Sequence, residues 1–379
     1  MKRRALVLSS ALGLASFATV PRAAKSAQKG IHVHYPDIVP GVPLAFPRDH
    51  GAHPRFRTEW WYVTGWLETP KDAPLGFQVT FFRTRPDLQP GDPSAFAPNQ
   101  LLFAHAALAD PRVGHLIHAQ RAVRAGMGLA GAREDDMQIF IGHWTLARET
   151  NGDQFTTHIE SHESDFDLRL VPTESILEEG VRGFSQKGPS PRQASRYYSL
   201  PQLDASGQIR RGGVTTPVRG RAWLDHEWSS AYLDARAVGW DWTGLNFDDG
   251  GALMAFRIRL ASGASLWAGA TWRHANGQIE RFDAPQVEFR VQRFWRSSRT
   301  GIRYPIEQQL HVGVYIWRIV PLFDDQELDS QASTGTLYWE GAVRAKPDPT
   351  SSGLPANSAY LPAGRGYLEL TGYDRALKL

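Results

Sequence analysis

Between Gly220 and Trp242 the chain gathers Asp225, His226 and Glu227 with Trp223, Trp228, Trp240 and Trp242, and sets Asp241 between the last two indoles. Carboxyls walled by aromatic rings suit acid–base chemistry, because an apolar pocket raises a carboxyl pKa until the group stays protonated near neutral pH. Such a donor can protonate an unactivated alkene. Indole faces stabilise the carbocation that follows, each by about 1–2 kcal/mol when desolvated, and a histidine can position the water that captures it. In this reading Asp225, Glu227 or Asp241 is the acid, His226 holds the water, and Trp228, Trp240 or Trp242 faces the cation. Read structurally, the same residues form a network in which Asp225 or Glu227 binds Arg221 or an indole nitrogen, since buried acids must be paired or hydrogen-bonded.

The element that positions them is a strand, Arg221 to Trp228. Side chains alternate across a strand, so Arg221, Trp223, Asp225 and Glu227 share one face and Ala222, Leu224, His226 and Trp228 the other. Upstream, Thr58 to Leu67 places Trp60, Tyr62, Thr64 and Trp66 opposite Glu59, Trp61 and Val63. Its aromatic and β-branched residues are those of a strand. Leu75 to Thr84 is a second strand, with Phe77, Val79, Phe81 and Arg83 on the face opposite Gln78, Thr80 and Phe82; Phe103 to Ala109 is a third and carries His105. A barrel walled by Trp60, Tyr62, Phe81 and Trp228, with Trp61, Gln78 and Trp223 beside them, describes a site for an apolar ligand. Glu59, Arg83 and His105 are its fixed polar points. Glu59 and Arg83 read as an internal ion pair that anchors either a head group or the fold, and His105 as a satisfied core histidine or a ligand contact.

Strands keep following strands: Ile139 to Ala147, Gln154 to Leu170 after the Asn151-Gly152 turn, Trp240 to Phe247 and Ala252 to Leu260 about Asp248-Asp249-Gly250-Gly251, and Ser265 to Arg273 with Ile279 to Phe282 about Asn276-Gly277. Gln286 to Trp295, Ile306 to Val312, Gly335 to Val343 and Tyr367 to Thr371 complete the series. Val314 to Val320 is ambiguous, Gly180 to Arg196 reads as a loop, and Asp204 to Gly213 as a polar turn region. No segment carries a clean helical period. The expectation is an all-β chain of two tandem antiparallel barrels, 55–230 and 231–379, behind an irregular lead-in at 27–54.

Residues 1–26 read as a cleavable export signal, basic at Lys2, Arg3 and Arg4 and apolar from Ala5 to Ala18, which predicts a periplasmic or secreted protein. After its removal no stretch is long and apolar enough to span a bilayer, so no integral membrane protein is expected. A net charge of +3 with scattered Lys and Arg argues against nucleic acid as a partner. The chain has no cysteine, which excludes disulfides, thiolate zinc sites and a cysteine nucleophile. His32 and His34 stand in a loop, and His158 and His162 have helical zinc spacing in a segment that alternates like a strand, so no metal site and no cofactor are predicted. Ser229 and Ser230 lack the G-x-S-x-G context of a serine hydrolase, and a triad with His226 and Asp225 is hard to assemble on one short run.

The blocks Thr58-Glu59-Trp60-Trp61-Tyr62-Val63-Thr64-Gly65, Gly76 to Arg83, Phe103-Ala104-His105-Ala106-Ala107, Trp223-Leu224-Asp225-His226-Glu227-Trp228-Ser229-Ser230 and Gly239-Trp240-Asp241-Trp242, in that order, resemble the AttH and carotenoid 1,2-hydratase family. The resemblance spans most of the mature chain. It implies two lipocalin-like barrels around an apolar cavity and an activity drawn from three classes: hydration of a carotenoid double bond, shaping of polyenes for cyclisation, or an exported role labelled secreted hydrolase and associated with lipid-type ABC exporters. With its signal the chain looks most like the exported group, so the implied role is binding a lipid, polyene or isoprenoid, with an ABC transporter permease as partner. The alternative is hydratase or isomerase catalysis. His226 and Trp228 match a functional histidine and tryptophan of the hydratases, whereas Leu253-Met254-Ala255-Phe256 stands where a tyrosine and an acid are expected.

Overall fold

A computed structural model describes residues 33–71, 74–86, 99–150, 153–348 and 361–377. The export signal, the 151–152 turn and His32 lie outside the described residues. The chain is all-β, with helical turns only at Arg48–His50 and Ala284–Gln286 among the described residues, and it builds two large antiparallel sheets, one a nearly closed barrel and the other a half-barrel.

The first sheet opens with β1 (Thr58–Glu68), β2 (Pro74–Thr84), β3 (Leu101–Ala109) and β4 (Leu116–Arg124). It continues through β5 (Ala130–Ala132), β6 (Gln138–Ile141), β7 (Trp144–Arg148), β8 (Phe155–Ile159) and β9 (Asp165–Val171). Short β10 (Leu177–Glu178) and β11 (Phe184–Gln186) then lead into two long strands, β12 (Ala194–Arg211) and β13 (Val214–Ala231). β13 lies between β1 and β12 at the middle of the sheet. The second sheet holds β14 (Ala237–Phe247), β15 (Ala252–Leu260), β16 (Ser265–Arg273), β17 (Ile279–Phe282) and β18 (Val287–Arg296). It closes with β19 (Arg303–Val312), β20 (Tyr315–Pro321), β21 (Glu327–Asp329), β22 (Leu337–Pro347) and β23 (Gly364–Leu370), with β14 paired to both β15 and β23.

Several expectations are corrected here. Ile139 to Ala147 is two strands, because Gly142 turns the chain at φ +58. Gln154 to Leu170 is likewise divided by the bend at 160–164, where exposed His162 sits, while His158 on β8 bonds Asp167. Asp204 to Gly213 is strand as far as Arg211. Its polar residues are the exposed ones of a long hairpin, and Gly212 and Gly213 alone, both at positive φ, form the turn. Val314 to Val320 resolves as a strand, and β4 carries too many polar residues to have been noticed.

The lead-in is not loose either. Its end, His50 to His53, is buried and enters the first barrel. There Glu59, fully buried on β1, accepts from the His53 backbone N–H (2.8 Å), His53 Nδ1 (2.7 Å), His226 Nε2 (2.9 Å) and Arg83 Nε (2.8 Å). Burial alone would raise this carboxyl, but Arg83 and His53 hold it well below the ordinary value. Burial likewise opposes a charge on His53, and Glu59 with Asp49 overcomes it and raises the imidazole. His53 lies flat on Trp228, with ring centroids 3.6 Å apart.

The two sheets face each other across an aromatic seam in which Tyr62, Trp66 and Trp223 meet Trp242, Met254 and Tyr367. Gly244 makes room for it: a Cβ there would sit 2.7 Å from the Trp242 ring and 3.0 Å from that of Trp223.

Two measurements test these constraints. Gly244→Ala should lower stability by about 1–3 kcal/mol, seen as a lower urea midpoint, because rigid indoles must move. Glu59→Gln should cost about 3–5 kcal/mol at pH 7, since it strands buried cations. A depressed carboxyl pKa stabilises the fold above the unfolded-state value of about 4.5 and loses that contribution as pH falls toward the folded one, so the wild-type advantage in urea midpoint should shrink between pH 4.5 and pH 3.

Candidate functional site

Alternation on β1 and β13 divides the chemistry between two places. Directly opposed residues of an antiparallel pair share a face, and the register sets Tyr62 opposite Asp225, Trp60 opposite Glu227 and Trp61 opposite His226. Tyr62, Trp60, Asp225 and Glu227 therefore face the second sheet. Trp61, His226 and Trp228 face the first barrel's core, with Phe81 among them. The four proposed catalytic residues are thus not one site. His226 is sealed beneath Trp61 and Trp228 and bonded to Glu59, so it cannot position water for Asp225. Ser229 donates to the Ala194 carbonyl and lies on the opposite face of β13 from His226.

Asp241 is corrected as well. It faces away from Trp240 and Trp242 and takes Arg257 Nε at 2.7 Å, Arg259 Nε at 2.8 Å and the Tyr373 hydroxyl at 2.9 Å, a buried ion cluster of the second sheet.

Between the sheets lies a cavity of about 310 Å³. The first sheet contributes Trp60, Tyr62, Phe82, Tyr197, Asp225 and Glu227; the second contributes Trp240, Trp242, Tyr338, Glu340 and Glu369. Asp225 accepts from Trp223 Nε1 (2.6 Å), Ser199 Oγ (2.6 Å) and the Tyr197 hydroxyl (2.8 Å). Burial nevertheless pushes it up to about 7, against the pull of those bonds. Glu227 is raised by burial and drawn back by Lys187, whose Nζ is 3.0 Å from Oε1, and by the Ser195 hydroxyl. Lys187 is itself enclosed, 4.1 Å from the centre of the Phe256 ring and 4.7 Å from that of Tyr197.

Glu340 and Glu369 oppose each other on β22 and β23. Burial lifts Glu340 well above its ordinary value and Glu369 to about 7, and the charge of Glu369 raises Glu340 further. Two buried carboxyls so placed do not both ionise readily. Trp240 Nε1 donates to Glu369 at 3.0 Å and Trp242 Nε1 to Tyr197 at 3.0 Å. The Tyr62 and Tyr338 hydroxyls are buried in the wall beside Glu340, close enough to lower its carboxyl against the effect of burial.

His105 lines the same cavity and ties the sheets together, with Nδ1 2.7 Å from the Tyr338 hydroxyl and Nε2 2.8 Å from Ser333 Oγ. Burial keeps it neutral, with a pKa of about 3. Glu59 and Arg83 border the cavity, but their charged groups are spent on each other. Gln78 is buried beside Thr80, to which it donates, and does not line the cavity. Trp223 lies behind Asp225, facing a wider polar cleft of about 940 Å³ at the far end of the seam. There Arg221 pairs with Asp204 and Arg365 with Glu68, so the charges answer one another.

His53, Glu59 and His226 bring ligand atoms within 4.8 Å of one another, a set with the residue types of a metal site. Arg83 on Glu59 and Arg48 against His53 Nε2 already supply the positive charge, so a divalent cation would be set against guanidinium.

The sequence reading missed Glu340, Glu369, Lys187, Glu179 and Tyr197. The first two carried the signal that drew attention to Asp225, a single acid within an apolar strand, in Leu337-Tyr338-Trp339-Glu340-Gly341-Ala342 and Gly366-Tyr367-Leu368-Glu369-Leu370. Lys187 and Glu179 stand in turn-rich sequence that gives no such contrast.

Among solved structures, the chain is similar to a candidate AttH of Nitrosomonas europaea, at 49% identity over 89% of this chain and 99% of that one, with a TM-score of 0.81. It is similar in fold to kievitone hydratase of Nectria haematococca, at 14% identity over 88% and 94% of the two chains and a TM-score of 0.67. The same holds for CghA with Sch210972, at 11% identity over 83% and 89% and a TM-score of 0.52. No curated protein matches the sequence. A model described as AttH-like matches residues 37–373, and the chain belongs to that family.

Proposed function

We propose that the chain binds an apolar small molecule, a lipid, polyene or isoprenoid, between its two sheets. The observation that carries this is the composition of the cavity: aromatic walls from both sheets with the few polar groups of Asp225, Glu227, Glu340 and Glu369 set among them, which would take a polar group of the ligand.

A second reading is favoured by the buried acids. Asp225, Glu340 and Glu369 hold protons more tightly than ordinary carboxyls, and Glu227 is kept beside a lysine. This is the equipment of a hydratase or isomerase. Asp225 protonates an alkene carbon, the Trp240 and Trp242 faces stabilise the cation, and Glu227 takes the proton of the water that adds to it. A new C–H and a new C–O bond form, and the proton given by Asp225 is balanced by the one Glu227 receives. The fold is shared with kievitone hydratase, whose name records hydration, and this supports the reading by analogy. A serine hydrolase has no comparable support. Export by the basic and apolar start of the chain, a periplasmic or secreted location and an ABC permease partner are carried in the proposal on the sequence alone; no helix of the described residues is long and apolar enough to cross a membrane.

Native mass spectrometry with organic extraction of protein purified from its host should release an apolar molecule. In D2O, wild-type protein should place deuterium on a carbon of that molecule, more slowly as pH rises above about 7. Asp225→Asn should slow uptake at least about 100-fold while affinity changes only a few-fold. Binding without deuterium uptake would leave a carrier; no bound molecule, even after exposure to lipid and polyene extracts, would remove both readings.

A further inference from the structure

Glu179, the residue after β10, is fully buried behind Asp225 and does not touch the cavity. Between them stands Ser199 on β12, itself fully buried, with Oγ 2.9 Å from Glu179 Oε1 and 2.6 Å from Asp225 Oδ1. A serine hydroxyl carries one hydrogen and can donate to one carboxyl only. The other contact, between two fully buried oxygens, needs a hydrogen from the second carboxyl. Asp225 already receives Trp223 Nε1 and the Tyr197 hydroxyl and is built as the acceptor. Besides Ser199, Glu179 has only the Thr271 hydroxyl beside it and no donor on Oε2 in good alignment, so its carboxyl is less well solvated as an anion than that of Asp225.

We infer that Glu179 is a stored acid, donating its O–H to Ser199 while Ser199 donates to Asp225, so that this serine passes a proton to the cavity carboxyl. The assignment rests on the acid-catalysis reading above for its use, but not for its existence. The Glu179 O–H breaks toward Ser199 Oγ as the Ser199 O–H breaks toward Asp225 Oδ1, and Asp225 passes the proton it receives to the ligand. Glu179 becomes the carboxylate; the proton that Glu227 takes from the added water balances this loss and returns to Glu179 through Asp225 and Ser199. This explains how a residue held by three donors can still act as an acid: its proton is kept one hydroxyl away. The charged and titratable groups that bear on Glu179 are Asp225, Lys187 and Tyr197, with the Thr271 hydroxyl from β16. Burial raises Glu179 to about 8, the charge of Asp225 adds to this, and Lys187 opposes it. Glu179 is a positioning residue and proton store, not a group that touches substrate.

Infrared spectroscopy of the ligand-free protein tests the assignment. The carboxylic-acid C=O absorption present at pH 7 should contain a component that bleaches as pH is raised through about 8. Glu179→Gln should remove that component and leave the contributions of Asp225, Glu340 and Glu369. Ser199→Ala should keep the component but move it to higher frequency, because the acid loses the oxygen it donates to. An undiminished band in Glu179→Gln, or an unmoved one in Ser199→Ala, would overturn the proposal; if Glu179→Gln does not fold, the Ser199→Ala shift decides it. The readout needs no ligand, so a cavity that binds nothing apolar defeats the proposed function and leaves this result standing.

Discussion

The Glu59 carboxylate carries a full charge to a point that water does not reach, and much of the first barrel is arranged to make that charge tolerable. A lone buried carboxylate is prohibitive in an apolar interior. It is acceptable here because the Arg83 guanidinium and the His53 imidazole approach it from different segments and His226 completes the set. These bonds do more than neutralise. His53 belongs to the lead-in, Glu59 to β1, Arg83 to β2 and His226 to β13, so four segments separate in sequence are fixed by one group. That is why Pro- and His-rich sequence with no regular structure of its own ends in a defined place inside the barrel.

The same strand, β13, shows how little sequence distance separates opposite electrostatic outcomes. His226 serves a carboxyl driven down; Asp225, its neighbour on the other face, is a carboxyl driven up. Both acids are buried and both accept several hydrogen bonds. They differ in their donors: a guanidinium and a charged imidazole at Glu59, an indole, a phenol and a serine at Asp225. Neutral donors stabilise an anion less than cations do, and here they do not offset desolvation. Glu227 lies between these limits, with Lys187 beside it and no second cation.

Pleat alternation was legible, and with it the all-β character, the principal strands and the concentration of acids and aromatics about β13. The partition of that strand into two faces was legible too, yet Asp225 and His226 were combined in one mechanism across the backbone that divides them. What the chain could not disclose was which faces meet. Glu340 and Glu369 lie more than a hundred residues from Asp225, and only the packing of two sheets brings them to one cavity. Lys187 and Glu179 sit where Gly, Pro and Ser dominate and composition reads as loop, though the loop is pinned by β11 and the start of β12. The error at Asp204 to Gly213 has a similar cause: one face is polar and exposed, and the opposite face carries only the small or isolated Ala205, Gly207 and Ile209, too thin an apolar pattern to read as a strand.

The location of the cavity follows from what fills the barrels. Trp61, Phe81, Tyr198 and Trp228 pack the first, and Tyr304, Trp317 and Trp339 the second, so large aromatic side chains fill the barrel interiors of the described residues. Space survives at the seam, where two curved sheets meet and their side chains cannot interdigitate everywhere. A site at a seam exists only while the sheets hold their relation, and here that relation is set by directional bonds as well as apolar contact. Trp66 Nε1 donates to the Gly366 carbonyl, Gln202 to those of Phe247 and Gly251, Asn246 to that of Ala222, and Trp242 to Tyr197. Hydrophobic contact tolerates sliding; a hydrogen bond to a buried carbonyl does not, since a small displacement leaves a desolvated acceptor without its donor. The bonds of Trp66, Gln202 and Asn246 stand at the polar cleft at the other end of the seam, and Tyr197 and Trp242 belong to a tether and to the cavity wall at once. Tyr197 and Trp242 therefore shape the cavity and hold the two sheets together by the same hydrogen bond.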